Sequence, residues 1–307
     1  MSLANELIKL RGGSAYIVSV LDEQVLLEAN KERPLEYRRG KVYPSEVVGK
    51  FCPRAWVLCN NDLKLYRNKK VSIDLQHKFN VGHALHDMVQ EKLGNAGVLF
   101  GRWRCIRCKM SWLGFKPKSK DRRQGTCIDG EHLWAFEELR IRDDSLSIRG
   151  RTDGLVRLHG KGKFLFEFKT MRNDDFVQLM EPDEKSVEQA LMYLDLAETK
   201  MQTQWINDLL NKKSNVASIE MLSKELEFLN EKFNGVLILY MNKDTQDRRE
   251  FLLTWNDKWR NVIEEKRKKI EIAQKHYAEG TLPERICVAK DDAMAKRCLA
   301  RVPCFEK

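Results

Sequence analysis

The sequence predicts an α/β chain, on three observations. Helical and strand patterning alternate along its length, glycine-rich and polar turns separate the strands, and no segment repeats. With 307 residues, 42% of them hydrophobic and 33% charged, the chain can bury a sizeable core, and its composition argues against disorder throughout.

Four segments follow in order. Residues 1–100 read as an N-terminal helical region. Pro44-Ser45-Glu46 opens a helix toward Trp56, and a clearer helix covers 74–93 and stops at Gly94. On it Leu75, Phe79, Gly82, His86, Val89 and Leu93 share one face, which is expected to pack on a sheet. Residues 101–135 are rich in Arg, Lys, Gly and Trp and lack sustained periodicity, so they read as an insert held by something other than a core. Residues 136–256, with a strand beginning near 134, carry the core: strands over 134–141, 146–158, 164–169, 236–240 and 250–254, and helices over 185–210 and 217–233. Residues 257–307 comprise a long charged helix over 257–278 and a cysteine-bearing tail.

Lys and Arg number 55 against 45 Asp and Glu, a net charge of +10, which favours a polyanionic partner, nucleic acid first. No apolar run approaches the roughly 18 residues of a membrane span, and the N-terminus has no apolar signal core. A cytoplasmic protein without a membrane partner is expected. In that reducing compartment, eight cysteines in clusters point to metal rather than disulfides.

The central signal is Gly150-Arg151-Thr152-Asp153-Gly154 followed by Glu167-Phe168-Lys169. Glu167 and Lys169 share one face of a strand, because side chains two apart point the same way. Asp153 ends the preceding strand. Two converging carboxylates repel and favour a hard cation such as Mg²⁺ or Mn²⁺, and a lysine beside it can stabilise charge developing at phosphorus. An apolar strand, FLFEFK, seldom spends two positions of one face on charge without a partner. His86 lies in the middle of its helix stripe, whereas His83 is rotated toward the margin, so His86 is the candidate additional ligand. Gln189 and Tyr193, four apart on a helix, face one direction.

In this order the elements resemble the RecB-type branch of the PD-(D/E)XK nuclease superfamily. Gly82 to His86 resembles its Gly-x-x-x-His element, Gly150 to Gly154 its Gly-x-x-Asp-Gly, Glu167 to Lys169 its Glu-x-Lys, and Gln189 to Tyr193 its Gln-x-x-x-Tyr. The resemblance, over about residues 50–307, implies a restriction-endonuclease-like mixed central sheet flanked by helices. It implies that His86, Asp153, Glu167 and the Phe168 carbonyl hold the catalytic Mg²⁺ or Mn²⁺. Lys169 would orient or activate the attacking water, and Gln189 and Tyr193 would position the strand. The implied activity is metal-dependent cleavage of single-stranded DNA or DNA ends, exonucleolytic, in recombination, repair or replication. The implied setting is a bacterial or phage-infected cell, with recombination or replication proteins as partners. The alternative is a non-catalytic nucleic-acid-binding module on a nuclease-like scaffold, against which the complete acidic set argues. RNA stays open as substrate, since no residue here reads a 2′-hydroxyl.

Cys52, in Cys52-Pro53-Arg54, together with Cys287, Cys298 and Cys304, resembles the iron–sulfur clasp of the same nucleases, including the CRISPR-adaptation exonucleases. A [4Fe–4S] cluster is thereby implied at the C-terminal tail. The final spacing of five residues agrees, whereas the ten residues between Cys287 and Cys298 depart from the usual Cys-x-x-Cys. Four-thiolate zinc is the rival, and Cys59 is expected to be a core thiol.

Cys105-Ile106-Arg107-Cys108, Cys127 and His132 have the spacing of a zinc-ribbon-like Cys₃His site for Zn²⁺, with Asp129 as a substitute for His132. Around them Arg102, Trp103, Arg104, Arg107, Lys109 and Trp112 combine the charge and rings that suit phosphate contact and base stacking.

Overall fold

The computed structural model describes residues 16–29, 35–67, 72–118, 127, 130–211 and 219–306. The chain forms two compact units. The larger holds residues 40–53 and 85–275, and the smaller holds 54–84, 276–307 and the described residues before 40.

A mixed sheet organises the larger unit. Its strands are β1 (Leu99–Cys105), β2 (Ser111–Phe115), β3 (Trp134–Glu137), β6 (Gly154–Leu158), β7 (Gly162–Met171), β8 (Phe233–Asn242) and β9 (Arg248–Leu253), and β4 (Leu139–Asp143) pairs with β5 (Ile148–Thr152) as a separate hairpin. The order in the sheet is β2-β1-β6-β7-β8-β9, with β3 also on β1. Among the paired strands of this sheet in the described residues, only β7 and β8 run parallel. Among the described residues, the parallel crossover between them carries a five-residue helix at Asn173–Val177 and then three longer ones, α1 (Glu184–Leu196), α2 (Gln202–Asn211) and α3 (Ile219–Asn230). The single helix expected over 185–210 is interrupted by a π-helical turn at Ala197–Met201.

β7 lies between β6 and β8, and residues 163–168 are buried on both faces. That explains its nearly continuous apolar sequence. The strand expected over 134–141 breaks at Glu138, where the chain leaves the main sheet and enters the β4–β5 hairpin. The segment expected as an insert supplies β1, β2 and the first residues of β3. Its Trp103, Cys105 and Leu113 are buried.

A long helix, α4 (Ile73–Asn95), precedes β1. From Leu85 onward it packs on the sheet, where Leu85 and Val89 join Leu99, Trp103, Phe166, Phe168 and Leu237. The inward stripe expected along the whole helix holds only there: Leu75 and Phe79 are 42% and 45% exposed. Another long helix, α5 (Asp257–Glu279), carries Lys266, whose ammonium is buried against Glu188 of α1 at 3.1 Å and accepted by the Val47 carbonyl at 3.2 Å. A buried charge without such partners would cost several kcal/mol.

In the smaller unit Leu58, Cys59, Ala300 and Cys304 form a core with Tyr66, Leu282, Cys298 and Phe305 around it. Trp56 meets Tyr277 edge-on at 5.5 Å, and Arg54 donates to the Pro283 carbonyl at 2.9 Å.

Candidate functional site

The site is built where β6 and β7 pair. Gly154 lies opposite Phe166 in the register, so Asp153, just before β6, reaches the middle of β7. There Asp153 Oδ2 accepts the Phe168 backbone N–H at 2.7 Å. His86 arrives from α4: its Nε2 is 3.1 Å from the Phe168 carbonyl oxygen and its Nδ1 is 3.6 Å from Asp153 Oδ1. The imidazole meets the Phe168 ring edge-on at 4.7 Å, which fixes its plane. His86, Asp153 and the Phe168 carbonyl therefore converge; they are among the ligands that the family resemblance implies.

Glu167 and Lys169 share the same strand. Lys169 Nζ donates to Glu167 Oε1 at 2.7 Å and to Gln189 Oε1 at 3.1 Å, and Gln189 Nε2 donates to the Tyr193 hydroxyl at 3.1 Å. Gln189 thus acts on the lysine directly, and Tyr193 acts through Gln189. The remaining oxygen, Glu167 Oε2, is buried and has no hydrogen-bond partner among the described residues. Such an orphaned carboxylate oxygen is what a cation site requires of its ligands.

Glu138 is the residue the sequence reading missed. His86, Glu138 and Asp153 offer ligand atoms within 4.8 Å of one another, a group that excludes Glu167. Glu138 sits at the foot of β4 and Asp153 at the foot of β5; the pairing Leu139↔Thr152 brings them together. The available signal was the charged Glu137-Glu138 pair inside an otherwise apolar strand pattern. Burial, then the charge of Glu167, pushes the Asp153 carboxyl well above the ordinary carboxylate range, and Glu138 adds to it. Lys169 goes the other way. Burial opposes its charge, but Glu167 and Asp153 hold its ammonium above the usual lysine range. Burial chiefly, with Glu167 next, raises the Tyr193 phenol, so Tyr193 is a hydrogen-bonding hydroxyl here and not a base.

A second cluster joins Cys105, Cys108, Cys127 and His132, again within 4.8 Å. Cys105 Sγ is 3.9 Å from Cys127 Sγ, and Cys108 Sγ is 3.5 Å from His132 Nδ1. The Cys105 backbone N–H donates to the Met110 carbonyl and the Lys109 N–H returns to Cys105, a tight turn that presents both thiols. Burial resists ionisation of Cys105, yet the Cys108 N–H, His132 and further backbone donors bring its thiol down to about 6. His132 is stacked on Trp134 at 4.8 Å. This cluster can hold a metal ion. Asp129 lies outside the described residues.

Of the outer cysteines, Cys52 belongs to the larger unit, and Cys287, Cys298 and Cys304 to the smaller. Burial raises the Cys298 thiol, and the charges of Cys304 and Cys287 raise it further. Burial likewise raises Cys287, with Asp292 and Cys304 adding to it. The three thiols are thus within electrostatic reach, without the 4.8 Å closeness of the middle set.

The expected nucleic-acid contacts divide. Arg104 is half-exposed and 3.3 Å from Glu137 Oε1; Arg107 and Lys109 are exposed, and Arg102 lies on the same face of β1 as Arg104. Trp103 is 1% exposed, and its Nε1 donates to the Gly114 carbonyl at 3.1 Å. It packs on Gly94, where any Cβ would fall 2.2 Å from the ring. Trp103 is a core residue, placed inward by strand alternation, and is not available for base stacking. Trp112 packs over Gly114 beside Glu225, where both side chains would meet an added Cβ.

No protein-family model and no curated protein matches the chain. Solved structures that match include one described as the crystal structure of SSO0001, at 14% identity and a TM-score of 0.39, covering 95% of this chain and 97% of that one. A likeness that weak carries no inference about fold or activity. Among the described residues, no helix is long and apolar enough to cross a membrane.

Proposed function

We propose that the protein is a divalent-metal-dependent nuclease acting on single-stranded DNA or DNA ends. The observation that carries this reading is the joint placement of Lys169 on Glu167 at 2.7 Å with Asp153 and His86 converging on Phe168 of the same strand. A structural salt bridge explains Lys169 and Glu167 alone; it does not explain a partly buried histidine, two further carboxylates and an orphaned oxygen around them.

Asp153, His86 and the Phe168 carbonyl would hold Mg²⁺ or Mn²⁺, with Glu167 and Glu138 completing the oxygen-rich set. When bound, the cation supplies Lewis-acid polarisation of the phosphodiester and stabilises the leaving oxygen. The chain's own groups do the rest. Glu167 anchors Lys169 Nζ, Gln189 aims it, and Tyr193 holds Gln189 in the required amide orientation. Lys169 would orient the attacking water and offset charge developing at phosphorus.

Zinc is the proposed occupant of the cysteine–histidine cluster. Tetrahedral Zn–S bonds of about 2.3 Å and Zn–N bonds of about 2.0 Å set edges of about 3.8 and 3.5 Å, against 3.9 and 3.5 Å between these ligand atoms. An iron–sulfur cluster on Cys287, Cys298 and Cys304 belongs to the same proposal.

The test is cleavage of end-labelled single-stranded DNA with Mn²⁺. Wild type should cut and EDTA should abolish cutting. Lys169→Met should cut at least about 100-fold more slowly while still binding Mn²⁺ in calorimetry. Turnover by Lys169→Met at the wild-type rate would sink the assignment.

A further inference from the structure

The β4–β5 hairpin carries a feature that the metal centre does not use. Its register sets Arg140 opposite Arg151 and Arg142 opposite Arg149. Residues directly opposite point to one face, as do residues two apart. Four guanidinium groups therefore stand on one face as a two-by-two array. The other face is settled by burial of Leu139, Ile141, Ile148 and Thr152. The arginines are open: the Arg151, Arg142 and Arg149 side chains are 64%, 49% and 34% exposed, and Arg140 is exposed.

Like charges directly opposite each other destabilise a hairpin, so this arrangement works against the local fold. Nearby carboxylates offset it unevenly. At the turn Asp144 Oδ1 takes Arg149 Nη2 at 2.8 Å and Asp144 Oδ2 lies 3.8 Å from Arg142 Nε, which also donates to Gln204 at 3.0 Å. At the feet, Arg151 Nη1 is 3.9 Å from Glu138 Oε2, and Arg140 makes no ion pair among the described residues. The pair beside the metal centre is thus the less neutralised one. Glu138 precedes β4 and Asp153 follows β5, so the array begins next to two candidate metal carboxylates and runs away from them.

We propose that this arginine face is a phosphate track, along which a single DNA strand leaves the metal centre. Arg140 and Arg151 hold the phosphate nearest the centre, and Arg142 and Arg149 hold the next. The assignment rests on the nuclease reading for its substrate, and on charge and continuity for its place. A planar guanidinium fork matches phosphate oxygens in pairs. Same-face positions along a strand repeat every about 6.8 Å, the scale of one nucleotide step. A bound phosphate between opposed arginines would also relieve their repulsion.

The test is binding of labelled dT20 to the full-length protein in EDTA, by fluorescence anisotropy, as a function of salt. Arg140→Gln/Arg151→Gln is compared with Lys258→Gln/Lys268→Gln on α5, which removes the same charge elsewhere. The arginine variant should raise Kd at least tenfold and lower the salt slope by about 0.7, the value for the one single-strand phosphate contact it loses. Its Mn²⁺ affinity should not fall, since Arg151 leaves Glu138 Oε2 freer for a cation, and its Tm should not fall, since a repulsion is removed. The lysine variant should change the slope by less than half as much. An unchanged slope in the arginine variant overturns the proposal, and so does an equal loss in the lysine variant, which would be a net-charge effect. If wild type fails to cut but the slope falls as expected, the track stands and the nuclease reading fails. If wild type cuts and the slope does not move, the reverse holds.

Discussion

Gly150 lies under Tyr193 so closely that a Cβ at Gly150 would sit 2.8 Å from Tyr193 Cε1, with Pro44 Cδ at 3.4 Å on another side. The first glycine of Gly-x-x-Asp-Gly is therefore coupled to the tyrosine of Gln-x-x-x-Tyr. Tyr193 is buried and has nowhere to retreat, so a side chain at 150 must push the Tyr193–Gln189–Lys169 chain. Gly150→Ala is expected to lower kcat roughly 10–100-fold through misplacement of Lys169, with Mn²⁺ affinity unchanged. Wild-type kcat in this variant would mean the chain from Tyr193 to Lys169 does not position the lysine.

Glu138 separates the proposed metal centre from the one the sequence alone suggests. Glu138→Gln keeps the shape and removes the charge. It should weaken Mn²⁺ binding by about tenfold or more, read by calorimetry, in the range that loss of a metal's supporting groups costs. His83→Ala, off the inward face, should leave Mn²⁺ binding as it is. Equal affinities for Glu138→Gln and wild type would return Glu138 to the hairpin surface.

Two chemically distinct metals are expected in the cysteine sets. Anaerobically purified protein should be brown and contain zinc as well as iron. Cys105→Ser should lose the zinc and keep the iron. Because Cys105 is fully buried at the end of β1, its Tm should fall by more than about 5 °C. Cys298→Ser should lose the iron and keep the zinc. A colourless anaerobic sample containing zinc alone would overturn the iron–sulfur assignment and leave the nuclease reading in place.

Glu225 of α3 gives a pH dependence unrelated to the metal centre. It is 4% exposed, and its Oε1 accepts the Phe115 backbone N–H at 3.2 Å. Burial pushes its carboxyl up to about 8, with the Phe115 N–H and Trp112 only partly opposing. The folded protein therefore holds a proton that the unfolded chain releases near the ordinary glutamate range. The stability this proton confers is full below that range, declines as pH rises toward 8, and is absent above it. The span corresponds to a loss on the order of 5 kcal/mol. Glu225→Gln should abolish the decline, so that its Tm exceeds that of wild type at pH 8.5 by more than at pH 5. Parallel Tm curves for the two proteins would refute it.

Whatever lies within a few residues of each motif was legible in the sequence. Strand alternation put Glu167 and Lys169 on one face of β7, and helical phase put His86 rather than His83 toward the sheet. The Cys105-to-Cys108 spacing likewise marked a turn that presents two thiols. These are consequences of backbone periodicity, which two to four residues suffice to express. Tertiary structure decided which distant segments share those faces. Only the β4–β5 register brings Glu138 to Asp153 and doubles two pairs of arginines on one face, and only the pairing of β1 with β2, β3 and β6 turns an apparent insert into sheet and buries Trp103. Whether the stripe of α4 is covered was likewise decided by what packs on it: the same spacing leaves Phe79 exposed and Val89 buried. Periodicity names a face, but the partner that buries it is chosen by long-range hydrogen bonding and packing, which no local pattern encodes.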